Sequence, residues 1–82
     1  MYKATVNVTL RDTILDPEGK AASHALNNLG HSDIKDVRIG KLIELNIDAD
    51  SQKSALKKAE SACEKLLVND VMENFDISIS EI

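Results

Sequence analysis

Apolar and polar residues alternate over residues 2–10. Ala4, Val6, Val8 and Leu10 share one parity, and Lys3, Thr5, Asn7 and Thr9 the other. A period of two with β-branched residues predicts a half-buried strand. Arg11 to Leu15 reads as a connection. Asp16-Pro17-Glu18 then gives a helix start: an oxygen acceptor at the N-cap, proline at the first helical position and an acid in the first turn. Ala22, Ala25, Leu26 and Leu29 recur at helical spacing, and Gly30 is the expected C-terminal stop.

Residues 36–48 permit more than one reading. Val37, Ile39, Ile43, Leu45 and Ile47 keep one parity, with Lys41 interrupting. A two-residue hairpin at Gly40-Lys41 fails, because it opposes Arg38 to Ile43 and Val37 to Glu44. A three-residue loop over 40–42 does better, opposing Ile39 to Ile43 and Val37 to Leu45. A single long strand also preserves the parity, with Gly40 as a bend through which it leaves one sheet for another. In both surviving readings Gly40 supplies backbone angles that cost other residues energy.

Asp50 or Ser51 caps a second helix whose apolar stripe runs through Ala55, Leu56, Ala59, Ala62, Cys63, Leu66 and Leu67. Asn69-Asp70 breaks it. Phe75, Ile77 and Ile79 alternate with Asp76, Ser78 and Ser80 in a final strand. The order predicts a two-layer α+β domain spanning residues 1–82, with a mainly antiparallel sheet and two helices on one face, related to the ferredoxin-like plan.

Composition changes this picture in one respect. The chain has 82 residues, 43% hydrophobic and 29% charged, which is globular and allows one domain. Its aromatic residues are Tyr2 and Phe75 alone, and much of the helical apolar surface is alanine. A core this thin supplies no more than about 3–5 kcal/mol. The single cysteine, Cys63, makes no internal disulfide and no zinc site. Oligomerisation is the remaining remedy, so a homodimer or a stable hetero-complex is expected, and with the strand-like stretch 36–48 a homodimer or larger even assembly.

Charge excludes a further class. The formal net charge is -4, and the excess acid is Asp70, Glu73, Asp76 and Glu81, all after Asn69. Nucleic-acid binding calls for a basic stripe or aromatic stacking platforms, and neither is present. The longest apolar runs are a few residues, too short to span a membrane. Strand-like alternation follows Lys3 where a signal peptide carries an apolar block, so a cytoplasmic location is expected.

Catalytic chemistry is sparse. Gly19, Gly30 and Gly40 are isolated and make no phosphate loop. A Cys–His nucleophile would need Cys63 beside His24 or His31, yet Cys63 falls on the apolar stripe. No catalytic, cofactor-binding or metal-binding residues are predicted. Two segments carry more than a fold requires. Leu15-Asp16-Pro17-Glu18-Gly19 is a rigid entry into a helix, and Asp36-Val37-Arg38-Ile39-Gly40-Lys41 sets two cations about a glycine. Asp16, Pro17, Arg38, Gly40 and Lys41 are therefore the candidate partner-facing or dimer-facing residues.

These segments, in this order, resemble the PurS family, the small subunit of three-subunit phosphoribosylformylglycinamidine (FGAM) synthase. The resemblance is carried by Val6-Asn7-Val8-Thr9-Leu10, Leu15 to Gly19, Ala25-Leu26 with Leu29-Gly30, Asp36 to Lys41, Ile43-Glu44-Leu45, and Cys63-Glu64-Lys65-Leu66-Leu67 with Asn69. It covers nearly the whole chain. Two departures stand out: Asp70 stands where the family often has proline, and Arg11-Asp12 where it often has Lys-Pro.

The resemblance implies an assembly subunit of purine biosynthesis without an active site of its own. Its implied partners are a second copy of itself in a segment-exchanged dimer, a large synthetase subunit, PurL, and a glutaminase subunit, PurQ. ATP and magnesium would belong to the synthetase subunit, and this chain would bridge the two and assist ammonia transfer. The competing reading is a stand-alone ferredoxin-like module that binds a small metabolite or regulates. That reading leaves Leu15–Gly19 and Val37–Lys41 unexplained. A small independent enzyme would rest on His24, His31 and Cys63.

Overall fold

A computed structural model describes residues 1–82. The elements in chain order are β1 (Tyr2–Leu10), α1 (Pro17–Asn28), β2 (Lys41–Ile47), α2 (Gln52–Ala62) with a π-helical continuation (Cys63–Leu67), and β3 (Glu73–Glu81). The strands form one antiparallel sheet in the order β2-β1-β3. The α+β class and the antiparallel sheet follow the alternation in the sequence.

Strand β1 is central, and register sorts the side chains by face. Val6 lies opposite Ile43 of β2 and Ile77 of β3, and Ala4 lies opposite Leu45 and Ile79. All of these point to the face that α2 covers, because successive strand residues alternate in direction. The other face carries Lys3, Thr5, Asn7, Glu44, Asp76 and Ser78. There Lys3 pairs with Glu44, and the Asn7 amide donates to Asp76 at 3.3 Å.

The core is small and lies between α2 and the sheet. Val6, Val8, Cys63 and Val68 form its buried centre, with Ile43, Leu45, Phe75 and Ile77 packed around them half-exposed. Ala55 and Ala59 are fully buried, which lets α2 approach the strands closely.

The two helices do not share the work expected of them. Helix α2 packs on all three strands, whereas α1 packs on no strand and not on α2. The molecule measures 50 × 27 × 14 Å with a radius of gyration of 16.1 Å. A compact chain of this length has about 12 Å. Within one chain, α2 alone covers the sheet.

The start and stop of α1 follow the sequence. Asp16 is the N-cap and Pro17 the first helical residue. At the far end Gly30 takes φ = 95°, the left-handed conformation that turns the chain out of the helix, and the His31 amide donates to the Leu26 carbonyl at 2.9 Å. Ser51 caps α2, its hydroxyl accepting from the Ser54 amide at 3.1 Å.

Two expectations are corrected. Residues 36–40 form neither a hairpin arm nor the first half of a long strand, since β2 begins at Lys41 and pairs with β1 alone. The backbone and side chains of that segment are engaged elsewhere, as described below. The apolar stripe of α2 also does not run on through Leu66. At Cys63 the helix widens to a π-turn, closed by the Val68 amide donating to the Cys63 carbonyl at 3.0 Å. The wider turn rotates Leu66 to solvent, 83% exposed, and brings Val68 to the core.

Candidate functional site

The feature that organises the surface is a crossing of three backbone segments at Asp16. One carboxylate oxygen of Asp16 accepts from the Gly19 amide at 3.0 Å and caps α1. The other accepts from the Ile39 amide at 2.8 Å, which ties the first turn of α1 to the segment leading into β2. Both oxygens are thus engaged in a residue that is itself buried. These two backbone donors, with the Arg38 guanidinium nearby, hold the Asp16 carboxyl below the usual carboxylate range, against the opposing effect of burial.

Two glycines make the crossing possible. A Cβ on Gly19 would lie 2.2 Å from the Val37 carbonyl oxygen, and one on Gly40 would lie 2.1 Å from the Val8 carbonyl oxygen. The role expected of Gly40, unusual backbone angles at a bend, is not the one it has. Gly30 is the glycine with positive φ, and Gly40 is required for the close approach of its backbone to β1. Arg38 completes the crossing. Its guanidinium donates to the Leu10 carbonyl, and to the Arg11 carbonyl at 3.1 Å, at the point where β1 ends.

A groove lies on each side of Asp16. One, of about 320 Å³, is lined by Asp16, Pro17, Gly40 and Lys41 together with Leu10 and Glu73. The other, of about 410 Å³, runs between α1 and residues 35–38 and is lined by Lys20, Ser23, His24, Asn27 and Arg38 among others. The five candidate residues named from the sequence are therefore neighbours, Asp16 belonging to both grooves. Lys41 faces Glu73 across the end of the sheet at 3.7 Å. That pairing explains its interruption of an otherwise apolar parity.

The residues with nucleophilic or acid–base chemistry are kept apart. Cys63 is fully buried in the core, where desolvation, then Glu60 and Glu64, pushes its thiol up. His24 is exposed on α1, and His31 is exposed beyond its end. No three His, Cys, Asp or Glu side chains gather closely enough to hold a metal. No helix is long and apolar enough to cross a membrane.

The break at Asn69-Asp70 was read from the sequence, but the π-turn before it and the side-chain bonds that hold the turn were not. Asn69 accepts from the Val71 amide at 3.0 Å and the Met72 amide at 3.3 Å, while its own amide donates to the Glu73 carboxylate at 2.8 Å. Glu73 four residues after an asparagine is the visible signal, since both side chains satisfy amides of a tight turn.

The chain matches, over residues 3–81, the PurS model described as phosphoribosylformylglycinamidine (FGAM) synthase. It belongs to the PurS family. Members similar to it include the FGAM synthase subunit PurS of Bacillus subtilis, 42% identical over 83 residues, covering 100% of this chain and 96% of that one. The PurS subunit of Mycobacterium leprae is 46% identical and covers 95% of each chain.

Among solved structures, PurS of Methanocaldococcus jannaschii superposes with a TM-score of 0.90 at 36% identity, covering 100% of this chain and 99% of its own. That protein is one of the subunits of formylglycinamide ribonucleotide amidotransferase in the purine biosynthetic pathway. A chain in the PurLQS structure of Thermotoga maritima superposes with a TM-score of 0.88 at 30% identity, covering 96% of each. The PurS fold thus accounts for the whole chain.

Proposed function

We propose that this chain is the PurS subunit of an ATP- and glutamine-dependent FGAM synthase of purine biosynthesis, bridging the glutaminase and synthetase subunits and assisting ammonia transfer. The observation that carries the reading is the end-to-end match to the family, together with the likeness to a chain of the PurLQS assembly. ATP and magnesium are assigned to the synthetase subunit, and the reacting groups to the partners. A built polar crossing with a groove on either side, at the residues singled out from the sequence, suits a subunit whose work is contact.

The subunit acts as a homodimer or larger even assembly with exchanged segments. Three features support this. Helix α1 packs on no strand of its own chain. Ile43, Leu45, Ile77 and Ile79 remain half-exposed on the face that one helix covers incompletely. Strands β2 and β3 each leave one edge unpaired in a single chain, a state that invites a further strand.

The test is reconstitution. The chain is mixed with the glutaminase and large subunits of the same organism, and glutamine-dependent amidation is followed with and without it. Co-elution and a gain in glutamine-dependent, but not ammonia-dependent, turnover are expected. Turnover from glutamine that is indifferent to this chain overturns the reading.

A further inference from the structure

Helix α1 turns its faces the opposite way from an ordinary surface helix. Lys20, Ser23, His24 and Asn27 have the i, i+3, i+4, i+7 spacing of one helical face, and they line the groove of about 410 Å³ against residues 35–38 of the same chain. Ala22, Leu26 and Leu29 each stand two residues after one of them, about 200° round the helix, and Leu29 is 76% exposed. The polar face is thus directed at the chain's own backbone and the apolar face away from it. Whatever covers the apolar side leaves the groove open on the other.

The polar walls do not satisfy each other. The side chains of Lys20, Ser23, His24 and Asn27 make no hydrogen bond within the chain, and the two ion pairs, Lys3–Glu44 and Lys41–Glu73, lie outside this groove. The Lys35 ammonium donates to the Ser32 carbonyl at 2.9 Å, which uses one of its three donors. Arg38 is tied to the Leu10 and Arg11 carbonyls through Nη2 alone, and the rest of its fork is free. Bonds to backbone therefore fix these two cations in place without consuming them. Leu15 and Val37 are the apolar residues of the lining, so the groove offers little to a ring or a hydrocarbon chain.

The charges that face the groove come from both walls. Lys20 belongs to α1, and Lys35 and Arg38 to the opposite wall. Asp16 offsets Arg38, and both of its oxygens accept from the Gly19 and Ile39 amides. Asp36 is the remaining acid, exposed and in no ion pair. Glu18 lines the other groove, and Asp33 lines neither. Two unpaired ammonium groups on facing walls suit an oxyanion. Ser23, Asn27 and the acceptor Asp36 suit hydroxyl groups beside it.

We propose that the groove between α1 and residues 35–38 binds a small hydroxylated phosphate monoester, with the phosphoryl group between Lys20 and Lys35 and the hydroxyls against Ser23, Asn27 and Asp36. Pockets of roughly 300–1,000 Å³ hold ligands of this size. The assignment is independent of the assembly reading above, which gives this chain no ligand.

The test is a titration of the full-length, isotope-labelled chain, followed by its amide shifts, with glucose 6-phosphate, inorganic phosphate and glucose as probes. Saturable shifts confined to residues 20–27 and 35–38 are expected with glucose 6-phosphate, weaker binding with inorganic phosphate and none with glucose. Lys20→Gln/Lys35→Gln should raise the Kd for glucose 6-phosphate about tenfold, with circular dichroism and sedimentation unchanged. Asp36→Ala should narrow the preference for the ester over inorganic phosphate. Lys57→Gln, which removes an exposed cation from α2, should leave Kd as it was.

Shifts that do not saturate, or that spread equally over Lys53 and Lys57 of α2, overturn the site, because the groove then attracts counter-ions no better than any exposed lysine. Wild-type Kd in the Lys20/Lys35 variant overturns it too, as does tighter binding of inorganic phosphate than of the ester. Each of these failures leaves the assembly reading standing, since that reading is tested by co-elution and glutamine-dependent turnover.

Discussion

Asp16 shows how much one carboxylate can organise. It caps a helix and anchors a strand entry that lies 23 residues further along, and its two backbone donors lower its pKa. A carboxyl depressed in the folded state contributes stability above its unfolded pKa, about 4, and loses that contribution as pH falls through the folded value. The urea midpoint of the wild-type chain should therefore drop more steeply below pH 4 than that of Asp16→Asn, which has no charge to lose there. Gly40 is governed by space. Gly40→Ala places a Cβ 2.1 Å from the Val8 carbonyl oxygen, and the backbone shift this forces should cost about 1–3 kcal/mol, read as a lowered midpoint in urea. Cys63 is the opposite case, a reactive residue type made inert by burial. Its thiol should resist alkylation at pH 8 until denaturant opens the core, and Cys63→Ala should cost about 1 kcal/mol with unchanged assembly.

At the scale of elements, periodicity was informative wherever a segment packs against its own chain. The alternation of Ala4, Val6 and Val8 placed β1, and Asp16-Pro17 placed the start of α1. Residues 36–40 keep strand parity yet form no strand: the Ile39 amide, which a neighbouring strand would use, goes to Asp16, and the Arg38 side chain ties the segment to the carbonyls at the end of β1. No pattern of apolar positions reports a partner 23 residues away in sequence. The residues of the crossing were visible for a related reason: Pro17, Gly19 and Gly40 are costly choices in regular elements, and cost points to geometry. The π-turn was invisible, since Leu66 and Leu67 fit an α-helical stripe equally well. It can be tested directly. Leu66→Ser should change stability by less than about 0.5 kcal/mol, as an exposed position does. Leu67→Ser, half-buried against the core, should cost more. Equal losses at the two positions would mean that α2 continues as a regular helix.

For the whole molecule, the decisive fact is a helix that stands away from the sheet. Sedimentation at micromolar concentration should give a dimer or a larger even species, and Leu26→Asp on the α1 stripe should shift it toward monomer. A stable, well-folded monomer would remove the argument for exchanged segments. The isolation of α1 also bears on the life of the subunit in a cell. A helix of twelve residues is marginal in water when nothing packs on it. Helicity should therefore fall on dilution, and trypsin should then cut faster at Lys20 and Lys35. A copy made in excess of its partners would be clipped first in this segment. The abundance of the subunit would then follow the supply of partners, with turnover of unassembled copies keeping the stoichiometry.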